Sequence, residues 1–199
     1  MKTMEIALFP LQTVLFPEGT LPLRIFEQRY LDMAKECLRD ELPFGVCLIA
    51  SGEEVGAPAE PHEVGTLARI IDWDMPQLGL LQVTTQGGER FQIRERWASP
   101  KGLLKAVVDI LPEESPAALA GEHSRLLPLL KRVLDEFASQ SNAAPLTPRL
   151  HDAAWVAWRF CELLPLAEDI KQDLLELESH HERLEEIFRF CAQRGLLET

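Results

Sequence analysis

The sequence predicts an α+β protein: a small twisted antiparallel β-barrel with one inserted helix, followed by a small α-helical bundle. Three observations carry that reading. The apolar opening, residues 6–30 (IALFPLQTVLFPEGTLPLRIFEQRY), is cut by Pro10, Pro17 and Pro22 into short extended pieces. A proline fixes φ and has no N–H to give a ladder, so such pieces belong at sheet edges and corners. From residue 44 to 111 the chain reads as short strands, with period-two alternation clearest in residues 90–97 and 103–111, and after Pro112-Glu113-Glu114-Ser115-Pro116 the period becomes helical. The break divides the chain into a β-rich domain over residues 1–112 and an α-helical subdomain over residues 113–199.

Along the first part, Phe9, Phe16 and Leu21 each precede a proline and are held extended. Residues 27–40 form a helix with Tyr30, Leu31, Ala34 and Leu38 on one face. Residues 44–50 (FGVCLIA) read as a strand buried on both sides. Residues 51–63 are rich in glycine, proline and glutamate and are expected as an exposed loop. In the strand that follows, Gly65 marks a bulge or the close approach of another backbone. Residues 73–79 (WDMPQLG) read as a turn with large apolar side chains at its tip, and residues 80–85 return as a strand. Gln86-Gly87-Gly88-Glu89 is a tight-hairpin signal, since paired glycines tolerate positive φ. Phe91, Ile93 and Trp97 then share one face against Arg90, Gln92, Arg94 and Arg96, and residues 103–111 make the last strand. About six strands with one helix result, and a partly open barrel covers their edges.

In the second part, Leu126, Leu127, Leu130, Val133, Leu134 and Phe137 form an apolar helical stripe in which Pro128 is either a kink or a start. Residues 141–146 are expected as a loop. Thr147-Pro148 reads as an N-cap with proline at the first helical position. The helix over residues 149–164 is apolar nearly all round and should be the buried centre. A short amphipathic helix over residues 167–177 follows. Ser179 with Glu182 fits a capping box for the last helix, which Gly195 ends.

The formal net charge is −12, and this acidic balance argues against a nucleic-acid binder, which needs a basic footprint. Cys37, Cys47, Cys161 and Cys191 show no CxxC and read as reduced core thiols. Pro10 and Gln12 interrupt any leader-like apolar run, and no stretch is long enough to span a membrane, so a cytoplasmic location is expected.

The opening F-P-L-x-x-V-L-F-P-x-x-x-L-P-L-x-I-F-E-x-R-Y at 9–30 resembles the start of the Lon protease amino-terminal, substrate-recognition domain. E-V-G-T-L-A-R-I at 63–70 is similar to that family's internal motif, and Gly87, Arg90, Phe91 and Ile93 resemble its second one. L-L-P-L-x-x-x-x-K-Q-x-L-L-E-L at 163–177, with E-R-L at 182–184, resembles its helical part. The motifs stand in the family's order over almost the whole chain. The resemblance implies a PUA-like barrel followed by helices, and a non-enzymatic module that binds unfolded or partner polypeptides, with a separate ATPase or protease as a further expected partner. The full proteases continue into an ATPase and a peptidase, whereas this sequence stops at Thr199, which suggests a stand-alone member.

No chemistry-bearing motif competes with that role. There is no GxxxxGK[ST] phosphate loop; residues 51–56 have glycines but no lysine. GxSxG is missing as well, and the serines sit in turns or helix starts, where capping explains them. His180, His181 and Glu182 are adjacent on a helix and point about 100° apart, without HExxH spacing. No catalytic, cofactor or metal residues are therefore assigned. The residues singled out for binding are Trp73, Met75 and Leu78, three large apolar side chains at one tip, which must either pack on another element or meet a partner. Two alternatives stay open: an RNA-binding PUA-like protein using Arg90, Arg94, Arg96, Lys101 and Lys105, and an enzyme with a pocket between the two subdomains.

Overall fold

The computed structural model describes residues 2–112, 114–140 and 147–197. Two compact units are present: Met1–Glu113 with Glu168–Leu175, and Glu114–Ala167 with Glu176–Thr199.

In the first unit, strand β1 (Thr3–Leu11) pairs antiparallel with β7 (Leu104–Ile110) through Thr3–Ala7. It then pairs parallel with β3 (Phe44–Ser51) through Leu8–Leu11. Pro10 thus falls in the half of β1 that β7 leaves unpaired, where a missing N–H costs least. β5 (Val64–Gln77) and β6 (Leu80–Ala98) complete a ring in the order β1-β7-β6-β5-β3, closed by the β1–β3 pair. β2 (Thr20–Ile25) adds to β6, and β4 (Glu60–Pro61) adds to β3. The sheet is antiparallel except at its β1–β3 seam, and the barrel is not evenly round. β4 lies inside the segment expected as loop; its Pro61 and the adjacent Ala59 are buried.

Because β1 and β3 are buried on both faces, alternate residues feed two cores. Ile6, Leu8, Cys47, Phe91, Ile93 and Val108 fill one. Phe9, Leu11, Phe44, Val46 and Val83 pack with helix α1 (Gln28–Asp40) in the other. The buried face of α1 is Tyr30, Met33, Ala34 and Cys37, shifted slightly from the expected stripe, in which Leu31 and Leu38 are only half-buried. The E-x-R-Y end of the opening stretch anchors this helix. Tyr30 stacks on Phe9 at 4.0 Å between ring centroids, and Arg29 pairs with Glu27 at 3.0 Å while donating to the Gly102 carbonyl at 3.0 Å.

The Gly87-Gly88 hairpin does not form. β6 runs straight through it, and the β5–β6 turn is at Leu78-Gly79, where Gly79 takes φ +84°. Gly87 serves a different need: a Cβ there would lie 2.2 Å from the Phe16 carbonyl oxygen. The chain turns at Phe16–Gly19, and its backbone exchanges hydrogen bonds with Gly87 (Glu18 N–H to Gly87 O at 2.9 Å, Gly87 N–H to Gly19 O at 2.8 Å). Trp73 and Met75 consequently sit in β5 rather than in a turn. A register shift between Ile93 and Glu95 also removes Trp97 from the buried face shared by Phe91 and Ile93.

Helix α4 (Glu168–Glu176) contributes its residues 168–175 to this unit, although the helical period places it with the later helices. Hydrogen bonds explain the assignment. The buried Gln172 amide donates to Val64 O at 3.1 Å, Arg90 donates to Leu175 O at 2.6 Å, and Glu168 accepts from the Val14 N–H at 3.1 Å.

In the second unit a 3-10 helix (Gly121–Leu126) leads into α2 (Leu127–Gln140), which starts just before Pro128 rather than kinking at it. The loop expected over 141–146 lies outside the described residues. α3 (Ala153–Leu163) begins later than the Thr147-Pro148 signal suggests: its N-cap is Asp152, whose carboxylate accepts from the N–H groups of Ala154 and Trp155. α3 is buried nearly all round. α5 (His180–Gln193) opens with the expected capping box between Ser179 and Glu182.

Candidate functional site

The distal part of the β5–β6 hairpin stands clear of the core. Every residue from 71 to 79 is exposed, whereas Val64–Ala68 are all buried. Trp73 is 56%, Met75 47% and Leu78 98% exposed, with Ile71 exposed beside them. The three residues singled out from sequence are thus brought onto one arm, and they stay in solvent. Trp73 also borders a groove of about 460 Å³, with Asp72, Asp74, Pro22, Arg24 and Gln82 on its walls. Such an arm offers aromatic, thioether and aliphatic contact surface beside two carboxylates. It has no nucleophile–base pair.

A second groove of about 320 Å³ lies along β2, lined by Leu11, Leu21, Leu23, Phe26, Tyr30 and Val55. Phe26 and Val55 at its rim are exposed.

The five cations considered as a basic stripe all bind protein groups. Arg90 is buried on the Leu175 carbonyl, and Arg94 pairs with Asp109. Arg96 pairs with both Glu60 and Glu63, Lys101 with Asp32 at 2.7 Å, and Lys105 with Glu5 at 3.2 Å. The hydrogen bond from Lys101 holds the Asp32 carboxyl below the usual range. Asp109 is likewise held low, by the Thr3 hydroxyl at 2.6 Å and by Arg94, against the burial that would raise it. For four of the five, a carboxylate partner offsets the charge that a phosphate backbone would need.

In the second unit, Arg183 is fully buried. Its guanidinium lies 3.5 Å from the Trp158 ring centroid, donates to Glu114 at 2.8 Å and caps the Leu177 carbonyl at 2.7 Å. Burial lowers its pKa against the opposing pull of Glu114. The same carboxylate meets His180 Nδ1 at 3.0 Å. Nearby, His123 of the 3-10 helix meets Glu185 of α5, with Nε2 3.0 Å from Oε1, and its ring lies edge-on to His181 at 5.5 Å. No local spacing in the sequence links His123 to His181 and Glu185, since His123 is 62 residues from Glu185.

Four of the serines act on backbone. Ser124 and Ser139 donate to carbonyls three residues back, Ser179 caps α5, and Ser99 accepts from Leu103 N–H. All four cysteines are buried and unbridged.

A family model for the ATP-dependent protease La (LON) substrate-binding domain matches residues 5–193. The chain belongs to the Lon substrate-binding domain family. It is 36% identical to a Lon N-terminal domain protein from Xanthomonas campestris, whose crystal structure superposes with a TM-score of 0.75 over 94% of this chain and 98% of that one. The N-terminal domain of a Mycobacterium avium complex Lon protease shares the fold at 17% identity, with a TM-score of 0.66 over 95% of this chain and 98% of that one. Among full-length relatives, a Lon protease of Phenylobacterium zucineum (strain HLK1) is 29% identical over 95% of this chain. The chain spans 24% of the length of that protease. The Lon-like motifs now have physical meanings here. In E-V-G-T, a Cβ on Gly65 would lie 2.4 Å from the Val46 carbonyl oxygen, and in G-x-x-R-F, Phe91 fills a core while Arg90 tethers α4. No helix among the described residues is long and apolar enough to cross a membrane.

Proposed function

We propose that this Lon substrate-binding domain recognises polypeptides without catalysing a reaction on them, and that Trp73, Met75 and Leu78 on the β5–β6 arm are the contact residues. The observation that carries this reading is the solvent exposure of three large apolar side chains on one ordered hairpin. Large apolar side chains gathered in solvent commonly mark an interaction surface. The family's name gives substrate binding, and the occupant that would match this arm is an unfolded segment bearing aromatic or aliphatic residues. Asp72 and Asp74, exposed beside Trp73, and the net charge of −12 favour segments that also carry Lys or Arg.

Fluorescence anisotropy with labelled unfolded peptides tests it. Wild type should bind apolar-basic peptides more tightly than apolar-acidic ones, and the triple variant Trp73→Ala, Met75→Ala, Leu78→Ala should lose that binding while staying folded. Equal binding by the triple variant removes the arm from the site. Handing a bound segment to a separate ATPase or protease is the next step we propose, and co-purification from a native extract tests it.

A further inference from the structure

We infer that His123, His181 and Glu185 form a binding site for a divalent transition metal, with Zn²⁺ the best fit. The ligand atoms of the three side chains all lie within 4.8 Å of one another. His181 and Glu185 are four residues apart on α5 and so share one helical face. His123 is delivered to that face by the 3-10 helix and is buried, its ring packed edge-on against Phe188 at 6.0 Å and His181 at 5.5 Å. The α5 platform is firm where it matters, since the Ser179–Glu182 capping box ties down the turn that carries His181.

Two imidazoles and one carboxylate are a zinc donor set that leaves a coordination position open. Calcium and magnesium prefer all-oxygen cages, which this trio does not provide. Around a tetrahedral ion with bonds of about 2.0–2.1 Å, donor atoms stand roughly 3.3–3.5 Å apart. The His123–Glu185 pair at 3.0 Å is already near that spacing. His181 is exposed, and its ligand atom lies within 4.8 Å of the other two. The trio borders a cavity of about 390 Å³, walled also by Ala118, Leu119 and His180, so the open position faces room for water or a donor atom from a bound molecule. None of these residues belongs to the proposed polypeptide-binding arm, and the inference stands independently of it.

Isothermal titration of the metal-stripped full chain with ZnCl₂ tests the site. The expected result is one zinc per chain at micromolar affinity or tighter, weakened by at least about tenfold in His181→Ala and in Glu185→Gln. His151→Ala, an exposed histidine outside the trio, should bind as wild type. Co²⁺ added in place of zinc should give the visible absorption of a tetrahedral ion in wild type and lose it in His181→Ala. No zinc uptake at about 100 µM, well above the micromolar affinity expected (about −8 kcal/mol), overturns the inference. So does uptake that His181→Ala and Glu185→Gln leave unchanged, because the His123–Glu185 contact is then only a structural hydrogen bond.

Discussion

A Cβ at position 87 would stand 2.2 Å from the carbonyl oxygen of Phe16, whereas one at position 88 would meet nothing closer than 3.6 Å. The two glycines are neighbours in sequence and opposite in consequence. Gly87→Ala should destabilise the fold by roughly 1–3 kcal/mol or more, as overpacking against immovable backbone does. Gly88→Ala should be neutral or stabilise by up to about 1 kcal/mol, through the lower entropy of its unfolded chain. Urea unfolding of both variants measures this, and equal effects would contradict the close approach.

The buried Arg183 is compensated by Glu114, the Leu177 carbonyl and the Trp158 ring. Removing Glu114 leaves the buried guanidinium without its carboxylate partner, with only the carbonyl and the ring to offset it. Glu114→Ala is expected to cost about 3–5 kcal/mol, while the double variant Glu114→Leu, Arg183→Met should recover much of that loss. A double variant no more stable than Glu114→Ala would show that the ion pair is not what matters here.

Asp109 sets an acid-side dependence. Its folded carboxyl titrates below the ordinary 3.8, through the hydrogen bonds from Thr3 and Arg94. A depressed folded pKa contributes stability that is fully present above the unfolded value and is lost as pH falls through the folded one. The stability gap between wild type and Asp109→Asn should therefore be open at pH 7 and shrink below about pH 4. A gap independent of pH would mean that the carboxylate's charge contributes nothing.

Burial pushes the Cys37 and Cys191 thiols up to about 11, and the Cys47 thiol upward as well. Buried neutral thiols are poor nucleophiles. Ellman's reagent at pH 8 should find none of the four cysteines in the native protein and all four in urea. The sign on the alkaline side is opposite to that of Asp109. The contribution of these thiols is complete below the unfolded value of 9.0 and fades as pH rises towards their folded values. Rapid native labelling would show that at least one thiol is accessible.

Features set by local pattern were legible in the sequence: the change of period near Pro112, the close approach at Gly65, the capping box at Ser179 and the all-round burial of α3. Errors arose where one local signal serves two structures. Gly87-Gly88 has the chemistry of a hairpin turn, but the approach of residues 16–19, about seventy positions earlier, gives the first glycine another task. Thr147-Pro148 and Asp152 are both plausible caps, and the carboxylate that reaches two N–H groups marks the actual start. Of the proposed sites, the Trp73, Met75, Leu78 arm could be nominated from sequence because its residues lie within six positions. The His123, His181, Glu185 trio could not, because only the packing of the 3-10 helix on α5 assembles it.

The central claim is that an extended polypeptide lies on the β5–β6 arm. A photo-crosslinking phenylalanine analogue placed at position 78, whose side chain is 98% exposed, tests it most directly. Illumination with an unfolded apolar-basic peptide should give a covalent adduct at that position, competed away by unlabelled peptide, while the same probe at exposed Arg189 of α5 gives none. Equal labelling at both positions, or none at position 78 while the peptide is demonstrably bound, would contradict the account.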